Sequence, residues 1–527
     1  MSSIIEQKVG KYTYLYESTS YRDANGKPRN HKVIIGKVNP DTGERVYKPE
    51  YIQRMADMGT PVSLPVPQSF SLDHLRKSVL KEYGAFYLFE SIAKNTGLLD
   101  VLKSVFPIRW AEIFMLSCYL VSSGEPAMYM EDWLDRTESL PTGSMSSQRI
   151  SELLLSIESH ERMSFYKEWG ALRSEHEYLA LDITSISSYS NLIDDVEWGY
   201  NRDKESLPQI NLCMLLGEQS GLPVYQSVYS GSLKDVSTLK ATLAQASGIS
   251  LEKLLLVMDK GFCSTKNINA MLGDENIRFV IGAPFTMNFA KKQVQSEKKD
   301  IDSLQNTIVI GEDILRGITK ERTWGKDRKL YAHIFYNAVK AVKLRESLYA
   351  NVTLLKHAAE SDPTSTLYKT EFSRYLIIRK SERNPTGYTV NIREDVIAEE
   401  LKHSGWLVLL SNEGLSAQEA ISIYRTKDMV EKGFHRFKNC LELGRLRVHG
   451  DKSMQNKLFV GFISLILMAR IHKVMLDNGL YQSMTMKKMI KTLEKLRIQY
   501  INGHRILYPV TKGQKEIYKA FGLKEPV

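Results

Sequence analysis

LLLVMDKGF, residues 254–262, decides the fold. A short, unbroken apolar run of this kind suits a strand covered on both faces of a sheet. It ends on the carboxylate of Asp259, and Gly261 lets the backbone turn sharply behind it. Upstream, EYLALD (177–182) repeats the pattern, ending on Asp182 with Thr184, Ser185, Ser187 and Ser188 close behind. Open α/β sheets place their sites at the carboxyl ends of strands. Taken singly, either aspartate reads as readily as a turn or helix cap. Between them, LPQINLCMLLGEQ and GLPVYQSVYSG form a hairpin that turns at 220–223, and residues 235–246 read as a helix.

Strand with aspartate, hairpin, helix, strand with aspartate is the order of a ribonuclease-H-like core, in which the first and last of these strands lie side by side. Downstream, GWLVLLSN (405–412) is another buried strand, and Gly414 and Ser416 lead into ISIYRTKDMVEKGFHRFKNC (421–440). That stretch has no proline, a single Gly433 and apolar residues at helical intervals. At ~100° per residue, Tyr424, Lys427, Glu431 and Lys438 fall within roughly 60° of one another on one helix face. By itself this face is a solvated one with a Lys427–Glu431 pair. The two upstream aspartates turn it toward a site. Three converging carboxylates, Asp182, Asp259 and Glu431, repel unless cations neutralise them. Hard divalent ions with oxygen ligands do so: Mg²⁺, or Mn²⁺ in its place. Two such ions about 4 Å apart activate water or a 3′-hydroxyl and steady the leaving oxygen. Tyr424, Lys427 and Lys438 would then grip phosphates beside the cut.

The flanking chain adds modules. Residues 11–48 alternate apolar and polar, with turns at Asn25-Gly26 and 41–43, and read as a small β meander. Its Arg22, Lys27, Arg29, Lys32 and Lys37 leave open a plain structural module or a DNA contact. Residues 60–67 (TPVSLPVP) read as a linker. From about 72 to 170 the pattern is helical, and SQRISELLLSI after the serines near Ser144 leaves two readings, a groove-reading helix pair or a plain bundle. Residues 282–402 interrupt the core with strand-like pieces around a long helical piece, rich in lysine and arginine. Trp324 lies there among cations and is a candidate for stacking on an extruded base, against a core-edge role. Residues 458–468 form a hydrophobic helix suited to backing the sheet, and the tail is basic and helical.

Composition bounds the function. The 527 residues carry 71 Lys+Arg against 61 Asp+Glu, a net charge of +10 that permits nucleic acid as partner. Four scattered cysteines lack zinc spacing and fit a reducing cytoplasm. No apolar signal core opens the chain, and the 458–468 run is too short to span a bilayer.

These residues resemble the DDE-type transposases of bacterial insertion sequences, in the branch with the signature Y-x2-R-x3-E-x6-K. Tyr424, Glu431 and Lys438 match in register, while Lys427 stands where that branch has arginine. Lysine keeps the charge and loses bidentate phosphate geometry. Asp259, Gly261 and Phe262 match D-x-G-[FY], Asp182 the first aspartate, and GYNRD (199–203), with Arg202, also resembles the family. The entry stretch YRDANGKPR and the β-rich insertion do so too. The resemblance implies cut-and-paste transposition. The enzyme would bind double-stranded DNA, both terminal inverted repeats and target, as a synaptic homodimer at the nucleoid. Water would free a 3′-hydroxyl, a hairpin would follow on the element end, and strand transfer into target DNA would end the reaction. It also implies Asp182, Asp259 and Glu431 as ligands of two metals, with Tyr424, Lys427, Lys438, Arg202 and Trp324 on DNA.

The expected architecture is therefore α/β. A small β module spans 1–65 and a helical domain 70–172. The ribonuclease-H-like core spans 175–285 and 403–475, is split by a β-rich insertion at 286–402, and is followed by a helical tail at 476–527. Two rivals share these features: a metal-dependent nuclease that cleaves without joining, and a retired transposase kept as a DNA-binding protein.

Overall fold

The computed structural model describes residues 2–10, 12–23, 26–40, 45–57, 76–173, 177–233, 239, 241–242, 254–381, 387–441, 443–501 and 504–527. The turns expected at Asn25 and 41–43, the 60–67 linker and most of the 235–246 helix lie outside these residues. The chain divides into two units, residues 1–79 with 500–506, and residues 80–499 with 507–527.

In the first unit, Ser2–Val9, Tyr12–Arg22, Pro28–Val38 and Arg45–Tyr47 pair antiparallel in chain order, and the helix Pro49–Asp57 follows. Leu15, Ile35 and Tyr51 make its small core. The expected meander is present, with Ser2–Val9 as an additional strand.

The second unit is built on one mixed sheet of nine strands. In chain order these are β1 (Leu179–Ser187), β2 (Gln209–Gly217), β3 (Pro223–Ser230), β4 (Leu254–Met258), β5 (Ile277–Gly282), β6 (Thr307–Ile310), β7 (Asp313–Trp324), β8 (Arg328–Tyr336) and β9 (Trp406–Ser411). Their spatial order is β6-β7-β8-β9-β5-β4-β1-β2-β3. β1, β4 and β5 run parallel, and the β1-β2-β3 meander is antiparallel. β9 joins β5 antiparallel, and β8 joins β9 in the same sense. β2 is buried along its whole length and β1 at all but Asp182, as unbroken apolar runs require when both faces are covered.

Two expected boundaries change. The 286–402 stretch is not a β-rich body of its own, because β6, β7 and β8 extend the main sheet. Leu330, Ala332 and Ile334 on β8 are fully buried, in the same apolar core as Val408 and Leu410 of β9. Only Ala338–Ser361, Lys369–Tyr375, the hairpin of Leu376–Lys380 with Tyr388–Ile392, and Glu394–Leu401 enclose a separate core, around Val352, Leu355, Phe372 and Ile397. Nor is the helical region a separate domain. Trp110–Ser122 and Ser147–Ser156 pack on the 27-residue helix Asp451–Asp477, and one apolar core joins them to the sheet. Asn456 on that helix donates to the carbonyls of Leu154 and Ile157, which holds the Ser147–Ser156 helix in a bundle. Asp451–Asp477 is long and apolar enough to cross a membrane, and 83% of its apolar window is buried inside the protein. The tail holds the helices Met486–Glu494 and Lys512–Ala520 but also two short strands, Arg497–Ile501 and His504–Leu507.

Candidate active site

Register brings the two aspartates together. Leu179, Ala180 and Leu181 of β1 lie opposite Leu256, Val257 and Met258 of β4. The next residue on each strand is an aspartate, so Asp182 and Asp259 leave the parallel pair at one level. β4 stops there, while β1 runs on to Ser187 paired with β2. The carboxylates thus sit at a notch on the edge of β1. Behind Asp259 the chain turns through the single 3₁₀ turn Lys260–Phe262.

The next side chains come from the helix Ala417–Arg425. A reciprocal cap starts it: the Glu419 amide donates to Ser416 Oγ at 3.2 Å, and the Ser416 amide to Glu419 Oε2 at 2.8 Å. The helix buries Ala420, Ile421 and Tyr424 in a cluster with Val257, Val280, Leu409 and Phe335. The Tyr424 hydroxyl then donates to Asp259 Oδ1 at 2.8 Å. Gly282 leaves room for it, since a Cβ there would stand 2.7 Å from that hydroxyl.

The unbroken helix expected over 421–440 is not formed. The amides of Lys427 and Val430 bond three residues back, to the carbonyls of Tyr424 and Lys427, which tightens the backbone between Ala417–Arg425 and Asp428–His435. Arg436–Cys440 then widens into a π turn. Lys427 nevertheless reaches the carboxylates: its Nζ lies 3.7 Å from Asp259 Oδ1 and 3.3 Å from Glu431 Oε1, and 5.5 Å from the centroid of the Tyr424 ring. Lys438 is paired elsewhere. Its Nζ is 2.6 Å from Asp203 Oδ2, on the β1–β2 connection, and only 10% of its side chain is exposed. The helical wheel assumed a constant period, and the break and the π turn both depart from it.

Arg202, on that same connection, contacts Ser185 Oγ at 3.4 Å and Asn211 Oδ1 at 3.3 Å, and its charge acts on Asp182. Trp324 lies on β7 at the edge of the apolar core. It is 8% exposed, its Nε1 donates to Asn269 Oδ1 at 2.8 Å, and Phe289 meets its ring edge-on. In this arrangement its donor is satisfied and its ring is covered.

The two aspartates ionise differently. Burial pushes Asp182 up to about 6, with the Ile183 amide and Arg202 pulling against it. Burial opposes ionisation of Asp259 too, but Lys427, the Lys260 amide and the Tyr424 hydroxyl outweigh it and hold the carboxyl below its usual value. Burial works against the Lys427 ammonium, and Asp259 and Glu431 overcome it, so Lys427 stays charged. Lys427 is thus the built-in counter-ion of the cluster. Glu431 is 60% exposed and leans on Lys427. Among the described residues no three carboxylate, imidazole or thiol groups already cage a metal ion.

Sequence reasoning missed the pairings that hold the β1–β2 connection in place. Asp203 takes Lys438, and Glu205 takes a bidentate Arg445 at 2.7 and 2.6 Å and the Ser187 hydroxyl at 2.6 Å. Asp203 lay inside the GYNRD stretch, but nothing local pointed to its distant partner.

Residues 173–467 match the family described as the transposase DDE domain. No curated protein matches the chain. A solved structure, the cryo-EM structure of a piggyBac transposase synaptic complex with hairpin DNA, is similar at 11% identity with a TM-score of 0.35. The match covers 78% of this chain and 70% of that one.

Proposed function

The chain belongs to the transposase DDE domain family, and from that premise we propose that it cuts DNA at the ends of its own element and joins the freed 3′-hydroxyls to target DNA. The observation that carries this reading is the register that sets Asp182 and Asp259 on adjacent parallel strands under Tyr424 and Lys427. Five strands of the sheet, neighbours in the order β3-β2-β1-β4-β5, support a ribonuclease-H-like core. The signature residues at 424, 431 and 438 favour the branch found in bacterial insertion sequences, acting as a synaptic homodimer.

Asp182 and Asp259 offer hard carboxylate oxygens of the kind Mg²⁺ or Mn²⁺ takes, and Glu431 is exposed enough to turn from Lys427 and complete the set. When bound, two such ions supply nucleophile activation and charge stabilisation for phosphodiester hydrolysis and transesterification. The protein's own part is positional and electrostatic. The Tyr424 hydroxyl fixes the Asp259 carboxylate in one orientation. Lys427 favours the ionised form of Asp259 and offsets part of the cluster's negative charge until substrate arrives. Arg202 sets a guanidinium beside Asp182, where a phosphate would enter. Lys438 holds the Arg202-bearing connection through Asp203, a positioning role in place of direct DNA contact.

The test is cleavage of plasmid DNA carrying the element's ends, with and without Mg²⁺. Cuts at the ends that need both the metal and Asp259, and so vanish in Asp259→Asn, are expected. Joining of the 3′-hydroxyl to added target DNA separates a transposase from a nuclease. Metal-dependent cuts that persist in Asp259→Asn would remove this site from the chemistry.

A further inference from the structure

Trp198 and Tyr200 are large aromatic residues left in water. They are 68% and 81% exposed, on the connection between β1 and β2. Large rings left in water without cover are costly, and grouped ones mark contact surfaces. Neither packs against another aromatic ring among the described residues.

Their backbone, by contrast, is pinned. Glu197 and Gln209 exchange both amide–carbonyl bonds at 3.0 Å. Gly199 presses on the Gly231 carbonyl so closely that a Cβ would lie 2.0 Å from that oxygen. The Tyr200 carbonyl accepts from Gln209 Nε2 at 2.8 Å, and Asn201, buried, donates to Ser187 Oγ at 3.0 Å. Asn201 is buried, whereas Trp198 and Tyr200, two residues apart on this pinned backbone, carry their rings into solvent. Two exposed rings on a pinned backbone need less ordering of the chain when a ligand binds.

The two rings are tied to the carboxylate site through Arg202. Ser185, three residues beyond Asp182 on β1, donates its hydroxyl to the Tyr200 carbonyl at 3.4 Å and accepts from the Arg202 amide at 3.3 Å. Arg202, two residues past Tyr200, acts electrostatically on Asp182. A strand whose phosphate lies by Arg202 would carry its neighbouring bases over Trp198 and Tyr200. Aromatic rings beside a cation bind unpaired bases by stacking, with little regard to sequence.

We propose that Trp198 and Tyr200 form a stacking platform for unpaired bases of a DNA strand entering the site. This rests on the DNA-processing reading above but is read out separately from it. The probes are a DNA hairpin with four unpaired thymines and a blunt duplex of equal length, each bound to the full-length chain and followed by fluorescence anisotropy. W198A/Y200A is expected to bind the hairpin at least about tenfold more weakly and the blunt duplex nearly as well as wild type. W198F/Y200F, which keeps the rings, is expected to retain most of the hairpin affinity. Equal loss on both probes, or no loss on either, overturns the platform. So does unchanged DNA binding with a smaller mass in sedimentation, which would assign the rings to a second copy of the chain. Cleavage by wild type is followed in parallel. Its absence, with the hairpin preference intact, would sink the catalytic reading and leave the platform standing.

Discussion

The Tyr424 hydroxyl shows how much depends on a single group. It reaches Asp259 because Gly282 leaves the space, and the packing of Ala420 and Ile421 beside it sets its direction. A hydrogen bond to a charged group contributes about 1.5–3 kcal/mol. Tyr424→Phe is therefore expected to slow end cleavage by about tenfold or more with little change in thermal midpoint. Gly282→Ala is expected to do the same without altering any polar group, by displacing the hydroxyl. Wild-type cleavage by Gly282→Ala would mean that the hydroxyl does not orient Asp259. At this scale the sequence was informative where local pattern sufficed: Asp182 and Asp259 each end an apolar run. It did not show the burial of Trp324, because cationic neighbours in the chain say nothing of which face of β7 the indole occupies.

At the scale of the element, the segment from Ser416 to Cys440 is three pieces, and each has its own cause. The Ser416–Glu419 box starts the first helix, the bonds three residues back at Lys427 and Val430 tighten the joint, and the π turn at Arg436–Cys440 carries Lys438 to Asp203. Ser416→Ala removes one side of the box and is expected to cost about 1 kcal/mol locally. Hydrogen exchange should show lost protection in Ala417–Arg425 while Asp451–Asp477 is unchanged. Uniform loss across both helices would mean that the cap serves the whole unit rather than its own helix. The reciprocal partner Glu419 came only from the structure, while Ser416 was legible as a residue leading into the helix. The π turn was not, since it arises where the fully buried Phe437 and the Lys438 ion pair must both be met.

At the scale of the whole molecule, the nine-stranded sheet has a pH-sensitive joint. His333 is fully buried, its Nδ1 within 2.7 Å of Thr319 Oγ1 on β7 and its Nε2 within 2.9 Å of Ser411 Oγ on β9. Burial pushes its imidazole down to about 4. The unfolded chain, near 6.5, takes up the proton first, so full stability holds above pH 6.5 and is lost as pH falls toward 4. The loss amounts to about 3 kcal/mol from this group. Thermal midpoints of wild type are expected to fall through that window, and those of His333→Gln to fall less. Parallel curves would remove His333 from the acid response. The expected separate insertion failed at this scale because strand pairing is not local. Nothing in β6, β7 or β8 says in sequence that β9, about seventy residues on, lies beside β8.

What the sequence determined by itself was the set of parts: two apolar runs each leading to an aspartate, a hairpin between them, and a later segment carrying Tyr424, Lys427 and Glu431 at helical spacing. Those follow from periods of two and 3.6 residues, which act over one or two turns of chain. Only the tertiary structure decided which strands are neighbours and in what register, where the later helix breaks, and which aromatic rings are covered. Each of these is set by contacts between residues far apart in the chain. The Leu181–Met258 register puts the carboxylates together, and burial hides Trp324 while Trp198 and Tyr200 stay in water.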